Sequence, residues 1–491
     1  QPVARAQKTE VKIGWSMPLT GGAAPTAFVH HLYYWMVIDD FNAKGGLYLP
    51  AEGRRVPITP RFLDDGYSLS QMLTNYELLL AEGVDLFFAP WSTSHCVAAM
   101  PFFEENEYPT IGLTVGSNTL QDYLQGVETP WFFVTLGQPR EDAEQLLQVF
   151  QSINTKVGDP DKIDTVGIAY RDDEHGREHA SAIRDGLVGI SVLRYISYPL
   201  DPYGNAIVDW STVVGEFSDA DVDVCIVCGY GEVAGFVWEC ITEDYNPKLI
   251  IHGPALETSF LVYGPTEGGG FGFTQGQMAG LMYYNGFPAC AYETPELQQW
   301  VYKHREYTKV FYGGAFPYGY PPFPASAVFY AGLEVLLRAV EKYGLLNRPT
   351  IRDALEFETF NITLGMDITV GTFNFRRGLS PVIEQHGTIT QWQGGELMEV
   401  IWPTTAASTS FIIYPKYPWS WAQVPDLNRD GKVRVDDVLT AALAFGSAPG
   451  HPRWKFEADI NGDHKIRVDD ILAISLAFGK TAEYGGTVPY S

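Results

Sequence analysis

The sequence predicts an α/β protein of two lobes, each a doubly wound parallel sheet, followed by a small all-α domain. Three observations carry this. Strand-like and helix-like segments alternate from residue 11 to residue 252, the rhythm of βαβ units. Several strand segments are short, continuous apolar runs (Asp85–Ala89, Val224–Cys228), as strands buried on both faces should be. A segment near the C-terminus recurs with a period of 33 residues.

The elements follow in order. Val11–Met17 alternates apolar and polar and reads as a strand. After the turn Pro18–Gly22, Thr26 is expected to cap a helix whose apolar face carries Phe28, Leu32, Trp35, Met36 and Ile38, and which stops at Gly45-Gly46. A strand over Val56–Phe62, a helix over Ser70–Glu82, and strands over Asp85–Ala89 and Pro109–Thr114 complete the first run. The second run has strands at Thr165–Tyr170, Ser191–Pro199, Val224–Cys228 and Lys248–His252. Its helices are Glu174–Leu187, Ala206–Phe217 and Val233–Thr242. Later helices are expected at Pro295–Val310, Ala325–Tyr343 and Thr350–Glu356. The glycine run Gly268–Gly272 lacks the Lys and Ser/Thr of a phosphate-cradling loop and reads as a plain loop.

Composition bounds the function. A chain of 491 residues, 46% hydrophobic and 19% charged, holds about three domains at roughly 150 residues each. Against 59 Asp and Glu it has only 33 Lys and Arg, a net charge of -26, which would repel phosphate backbones and excludes a nucleic-acid partner. No run of 18 apolar residues is present to form a membrane-spanning helix. The five cysteines are too few and scattered for a disulfide framework. Cys225 and Cys228 form a CxxC inside an apolar run, which suits a buried strand better than a redox turn. The polar lead 1–10 begins at Gln1 with no initiator Met, so an exported, extracellular or cell-surface protein whose signal peptide has been removed is expected.

Asp426–Gly446 (DLNRDGKVRVDDVLTAALAFG) and Asp459–Gly479 (DINGDHKIRVDDILAISLAFG) match at 13 of 21 positions. Alternate oxygen-bearing residues in a tight turn can converge on one hard cation. Asp426, Asn428 and Asp430 take loop positions 1, 3 and 5, Lys432 offers its carbonyl at position 7, and Asp437 closes position 12. The second loop supplies Asp459, Asn461, Asp463, the Lys465 carbonyl and Asp470. Two Ca²⁺ sites are expected. These residues, over 424–480, resemble a type I dockerin, a family that pairs two such F-hand loops and binds cohesin modules. The resemblance implies a cohesin-like partner. Position 9 is Arg in both loops (Arg434, Arg467), position 6 of the second is His464, and positions 10 and 11 are Val-Asp where dockerins often carry hydroxyl residues, which leaves the partner open.

The rest of the chain has its own resemblance. Gly14–Gly21 (GWSMPLTG), Asp40–Gly46 (DFNAKGG), Asp64-Asp65, Leu79–Thr93 (LLAEGVDLFFAPWST) and Ala169–Gly176 (AYRDDEHG) are similar, in order and spacing, to type I periplasmic solute-binding proteins. The nearest branch is the branched-chain amino acid and amide binders of ABC transporters. This implies a type I periplasmic-binding-protein fold with a three-strand hinge: lobe 1 from 11–130 and 253–360, lobe 2 from 131–252 and 361–403. A linker (404–423) short and aromatic enough to dock, the repeat domain (424–480) and a tail (481–491) follow. It also implies a cleft ligand held by strand ends and helix N-termini. The matching positions are Trp91, Ser92, Thr93, Ser94, Thr114, His175 and Tyr230.

The carboxylates that would grip an amino group are missing near Leu136–Pro139 and at Ala255, unless Glu257 substitutes. The solute is thus an amino acid, an amide, something larger or aromatic, or absent. His175–His179 (HGREH) matches an inverted zinc-protease pattern, yet falls where binding proteins start a cleft-closing helix; no catalytic residues and no enzyme are expected. The leading function is an extracellular solute receptor serving an ABC permease, with a calcium module for protein attachment. The alternative is a self-assembling filament or surface-lattice subunit, a homo-oligomer that docks its calcium module on a neighbouring subunit. The aromatic content, 14%, favours interfaces.

Overall fold

The computed structural model describes residues 7–127, 130–253, 275–286, 295–312, 326–345, 347–365, 367–368, 370, 388–393, 398–404, 407–416, 419, 425–428, 432–448, 451, 453, 455, 458–460, 465–480 and 487–489. The first lobe opens with β1 (Val11–Met17), α1 (Ala24–Ala43), the hairpin of β2 (Leu47–Leu49) and β3 (Arg54–Val56), and β4 (Ile58–Asp64). It continues through α2 (Leu69–Ala81), β5 (Leu86–Phe87), α3 (Thr93–Glu105), β6 (Thr110–Gly112), α4 (Asn118–Gly126) and β7 (Phe132–Val134). β1 runs parallel between β4 and β5, with Val11 opposite Ile58, and β6 pairs in parallel with β7.

Local chemistry sets the boundaries. Ser68 caps α2 by accepting the Gln71 amide, and Met72, Tyr76 and Leu79 give the helix its buried stripe. α1 starts two residues before the expected Thr26: Pro25 stands in its first turn, where the missing N–H is no loss, and no side chain caps it.

The second lobe runs through α5 (Pro139–Asn154), β8 (Thr165–Arg171), α6 (Glu174–Gly186), β9 (Ser191–Tyr198), α7 (Trp210–Asp219), β10 (Val224–Cys228), α8 (Val233–Thr242), β11 (Leu249–His252), α9 (Gln275–Met278) and β12 (Met282–Gly286). α7 begins at Trp210 and not near Ala206, because Asp209 caps it by accepting the Ser211 amide, while Ala206 bridges to Leu200. The chain then returns to the first lobe for α10 (Pro295–Tyr312), α11 (Ser326–Tyr343), α12 (Arg348–Phe357), β13 (Phe360–Asn361) and β14 (Asp367–Ile368). Trp300, Phe329, Ile351 and Ile368 join the Trp15–Phe88 core there. β15 (Thr388–Gln391) and β16 (Glu399–Trp402) go back to the second lobe and complete a seven-stranded sheet, ordered β16-β15-β12-β11-β10-β8-β9. Its two faces carry separate cores, one around Ile168 and Ile226, the other around Phe217 and Phe236.

The division between lobes thus differs from the sequence-based segments at three points. β7 pairs with β6 in the first lobe and not the second, β12 pairs with β11 in the second and not the first, and the described residues of 361–370, with β14, belong to the first-lobe core and not the second. The expected linker is not free chain. β17 (Phe411–Ile413) lies on the second lobe, and Ile412 and Tyr414 are buried in its core. Trp419 donates its indole N–H to the Tyr245 carbonyl at 2.8 Å. After α13 (Val435–Leu443) and α14 (Val468–Leu476), β18 (Thr487–Pro489) pairs antiparallel with β17 and buries Val488 in the same core. The two repeat helices share a small core of Val433, Ala441, Ile466 and Ile474.

Candidate functional site

The two lobes meet where the segment after β5 faces the segments after β8 and β10. α3 leaves β5 through Pro90-Trp91-Ser92. Ser92, its N-cap, holds a left-handed φ of 83°. A non-glycine residue there is strained by roughly 1–3 kcal/mol, and such strain collects at sites where geometry matters. Its amide donates to Thr114 Oγ1 at 2.9 Å, and its hydroxyl pairs with His95 Nδ1 at 2.9 Å. Thr93 accepts the Gly116 amide and meets His175 Nδ1 of the second lobe, both at 3.4 Å. Trp91 faces Tyr230 with ring centroids 5.4 Å apart, and Tyr230 stacks on His175 at 4.4 Å. Trp91, Ser92, Thr93, Thr114, His175 and Tyr230 are therefore brought together from the two lobes, all buried; Ser94 is half-buried on the first turn of α3.

The charges around them are largely committed. Arg171, buried at the end of β8, lies 4.2 Å over the Tyr230 ring and is held by Asp173 at 2.7 Å and Glu232 at 2.9 Å. Burial alone would lower its pKa; Glu232 and Asp173 outweigh that and raise it. Asp173 also caps α6 through the Gly176 amide. Burial pulls His95 down to about 4 and His179 to about 3. His175 is lowered by burial, then by His179 and Arg171. Asp142 faces His179 Nδ1 at 3.4 Å, and burial pushes its carboxyl well above the usual range.

Four contributors escaped the sequence reading. Tyr67 packs on Trp91 and His95 at 5.8 and 4.8 Å. Gln138 stands where an acid was sought. It accepts the Ser117 amide at 3.0 Å and donates to the Leu136 carbonyl at 2.7 Å, knitting the crossover between lobes. Asp142 reaches His179 from α5. Glu178, on α6, accepts the Asn118 amide and the Thr119 hydroxyl (2.7 Å) at the start of α4, bridging the lobes. That carboxylate is turned to α4, so the His175–His179 pattern does not present it as a base beside two ligating histidines. Tyr67, Gln138 and Asp142 lie in no local motif and Glu178 lies in one that points to other chemistry; each is defined by a partner on another element. Ala255 and Glu257 lie outside the described residues.

In the repeat, Asp426, Asn428, Lys432, Asp437, Asp459, Lys465 and Asp470 are described; Asp430, Asn461, Asp463 and His464 lie outside the described residues. Asp437 and Asp470 are fully buried, and Asp426 and Asp459 nearly so. Asp437 accepts the Leu427 amide at 2.6 Å and the Arg434 amide at 2.7 Å. Asp470 repeats this with Ile460 and Arg467 at 2.9 and 2.8 Å. Among the described residues, no group of three or more His, Cys, Asp or Glu is placed to hold a metal ion.

Two α/β lobes that close strand ends and helix starts around one cleft define a binding protein of the type I periplasmic class. The chain belongs to the periplasmic binding protein family, whose profile matches residues 10–396. The family is one of exported solute receptors, not an enzyme class. Among the described residues, no helix is long and apolar enough to cross a membrane. The fold is similar to that of a solute-binding protein of an ABC transporter from Rhodopseudomonas palustris in complex with 3,4-dihydroxybenzoic acid (TM-score 0.59, 16% identity, 78% of this chain and 93% of that one). It is also similar to a leucine-binding protein from Thermotoga maritima (0.58, 17%, 78% and 95%) and to a putative branched-chain amino acid ABC transporter protein from Silicibacter pomeroyi (0.60, 15%, 84% and 100%).

Proposed function

We propose that the chain is an extracellular receptor that delivers a small solute of the amino acid, amide or related class to an ABC permease, and that its C-terminal repeat attaches it to a protein through a calcium-dependent module. One observation carries the receptor reading: Trp91, Ser92, Thr93 and Thr114 meet His175 and Tyr230 across the lobes, at the strand ends where this fold class binds ligands.

The donor set of the repeat suits Ca²⁺. Buried carboxylates require positive charge or a proton, and the buried pairs Asp426/Asp437 and Asp459/Asp470 offer hard oxygens to a hard dication. Asp426, Asn428, Asp430, Asp437 and the Lys432 carbonyl would hold one ion. Asp459, Asn461, Asp463, Asp470 and the Lys465 carbonyl would hold the other. When bound, the ion supplies the charge that fixes each loop against its helix. The attachment surface is supported by symmetry: Val435, Leu439, Leu443 and Phe445 are exposed, and so are Val468, Leu472, Leu476 and Phe478, their repeat equivalents. Such an apolar face on paired helices fits a cohesin-like module.

The same face, on a module anchored at its two ends, also fits the second reading, an assembly subunit docking on its neighbour. Native mass spectrometry with and without EDTA tests these readings together. A monomer with two Ca²⁺ and a small-molecule adduct is expected of the receptor. Calcium-dependent oligomers with no adduct would replace it by the assembly reading, and a chain that takes no Ca²⁺ would remove the calcium module.

A further inference from the structure

The cleft wall is built of rings with unspent hydrogen-bonding capacity. The Trp91 indole nitrogen and the Nε2 atoms of His95 and His175 have no hydrogen-bond partner among the described residues, although all three side chains are almost fully buried. A buried polar group left this way costs roughly 1–3 kcal/mol, so a site that keeps three of them is shaped for a partner that arrives from outside.

Among the described residues, that partner meets little charge. The guanidinium they place there, Arg171, already holds two carboxylates, and these three groups together carry a net negative charge that disfavours an anion. The helix starts that would receive a ligand carboxylate are taken: α6 by Asp173, α4 by Ser117 and Glu178, α3 by Ser92. Asp173 and Glu232 each hold Arg171 already, which leaves an ammonium to compete with a fixed, buried ion pair. What remains among the described residues is flat and apolar: Tyr67, Trp91 and Tyr230 in ring contact.

We propose that this cleft takes an uncharged aromatic solute with a hydrogen-bond acceptor, of the aromatic-amide kind, stacked among Tyr67, Trp91 and Tyr230 and receiving the Trp91 indole N–H. The proposal deepens the receptor reading above and rests on it. Isothermal titration of the full chain at neutral pH with benzamide, benzoate, benzylamine and leucine varies charge on a nearly constant ring and adds the zwitterion. Benzamide is expected to bind at least about tenfold more tightly than the other three, about the worth of one hydrogen bond at 1.4 kcal/mol. Trp91→Phe, which keeps the ring and removes the donor, is expected to weaken benzamide about tenfold, with the unfolding midpoint measured to show that the variant is folded. Tighter binding of benzoate, benzylamine or leucine would overturn the proposal and leave the receptor reading standing. Binding of none of the four would overturn both. Unchanged benzamide binding by Trp91→Phe would remove the role of the indole and with it the proposal.

Discussion

Glu178→Ala should loosen the contact between lobes, and the structure sets the scale. The side chain leaves α6 of the second lobe and reaches the first two residues of α4 in the first, accepting the Asn118 amide and the Thr119 hydroxyl at 2.7 Å. Those amides belong to the group that no helix satisfies for itself. A carboxylate at a helix start is worth roughly 0.3–1 kcal/mol, and a charge-assisted hydrogen bond roughly 1.5–3. Thr119 is solvent-exposed, so screening cuts the sum to about 1–2 kcal/mol for the whole latch, a factor of roughly 5–30 in the balance between closed and separated lobes. The assay is residue-resolved hydrogen exchange. In the wild type the Asn118 amide should be protected, and in Glu178→Ala its exchange should rise by that factor, while amides in β10 stay unchanged. A double-mutant cycle with Thr119→Ala should give a coupling of about 1 kcal/mol. An Asn118 amide that exchanges as fast in the wild type as in the variant would refute the latch, as would zero coupling.

Acid should destabilise the fold. His30, His179 and His252 are pulled down to about 3, and His31 and His95 to about 4, in each case chiefly by burial. The folded chain binds these protons less tightly than the unfolded one, so their contribution is whole above pH 6.5 and lost as pH falls toward 4, by about 1.4 kcal/mol per group per pH unit at most. Asp65 and Glu174, both raised to about 6 mainly by burial, oppose this below pH 6. A melting temperature that holds or rises between pH 6.5 and 5 would contradict the balance. Gly116→Ala would place a methyl carbon 2.6 Å from His179 Nε2, in a contact between the lobes, and is expected to cost about 1–3 kcal/mol in urea unfolding. Gly126→Ala, with nothing within 4 Å, should be close to neutral. Asp437→Ala is expected to lose one Ca²⁺ in native mass spectra. It should also lower the helix content of the repeat without EDTA, since it removes the acceptor of the Leu427 and Arg434 amides.

Much of this was legible from local chemistry. The β10 and α8 boundaries follow from an all-apolar run and a periodic helix, whereas the expected cleft positions rest on the family resemblance and not on local chemistry. β12 and β15 were not legible, because short strands that join a sheet across more than a hundred residues leave no periodic mark, and neither was β7 beside β6. The same holds in the site. Ser92 and His175 lie in motifs, whereas Tyr67, Gln138, Asp142 and Glu178 act through partners on other elements. No window of sequence contains such a pair.

The seven-stranded sheet has a further consequence, in the order in which the protein can be made. Its central strands are complete by residue 252, but β12, β15 and β16 arrive only by residue 402, after the chain has visited the first lobe. β18, which pairs with β17 and buries Val488 in the same lobe's core, comes later still, at residues 487–489. A chain still emerging from a ribosome or an export channel therefore carries an unfinished second lobe, with β17 unpaired, until β18 has been made. The repeat helices are enclosed between β17 and β18 before that seam can form. Premature termination anywhere in the repeat should yield aggregation-prone product, and a holding chaperone should bind the nascent second lobe in preference to the first.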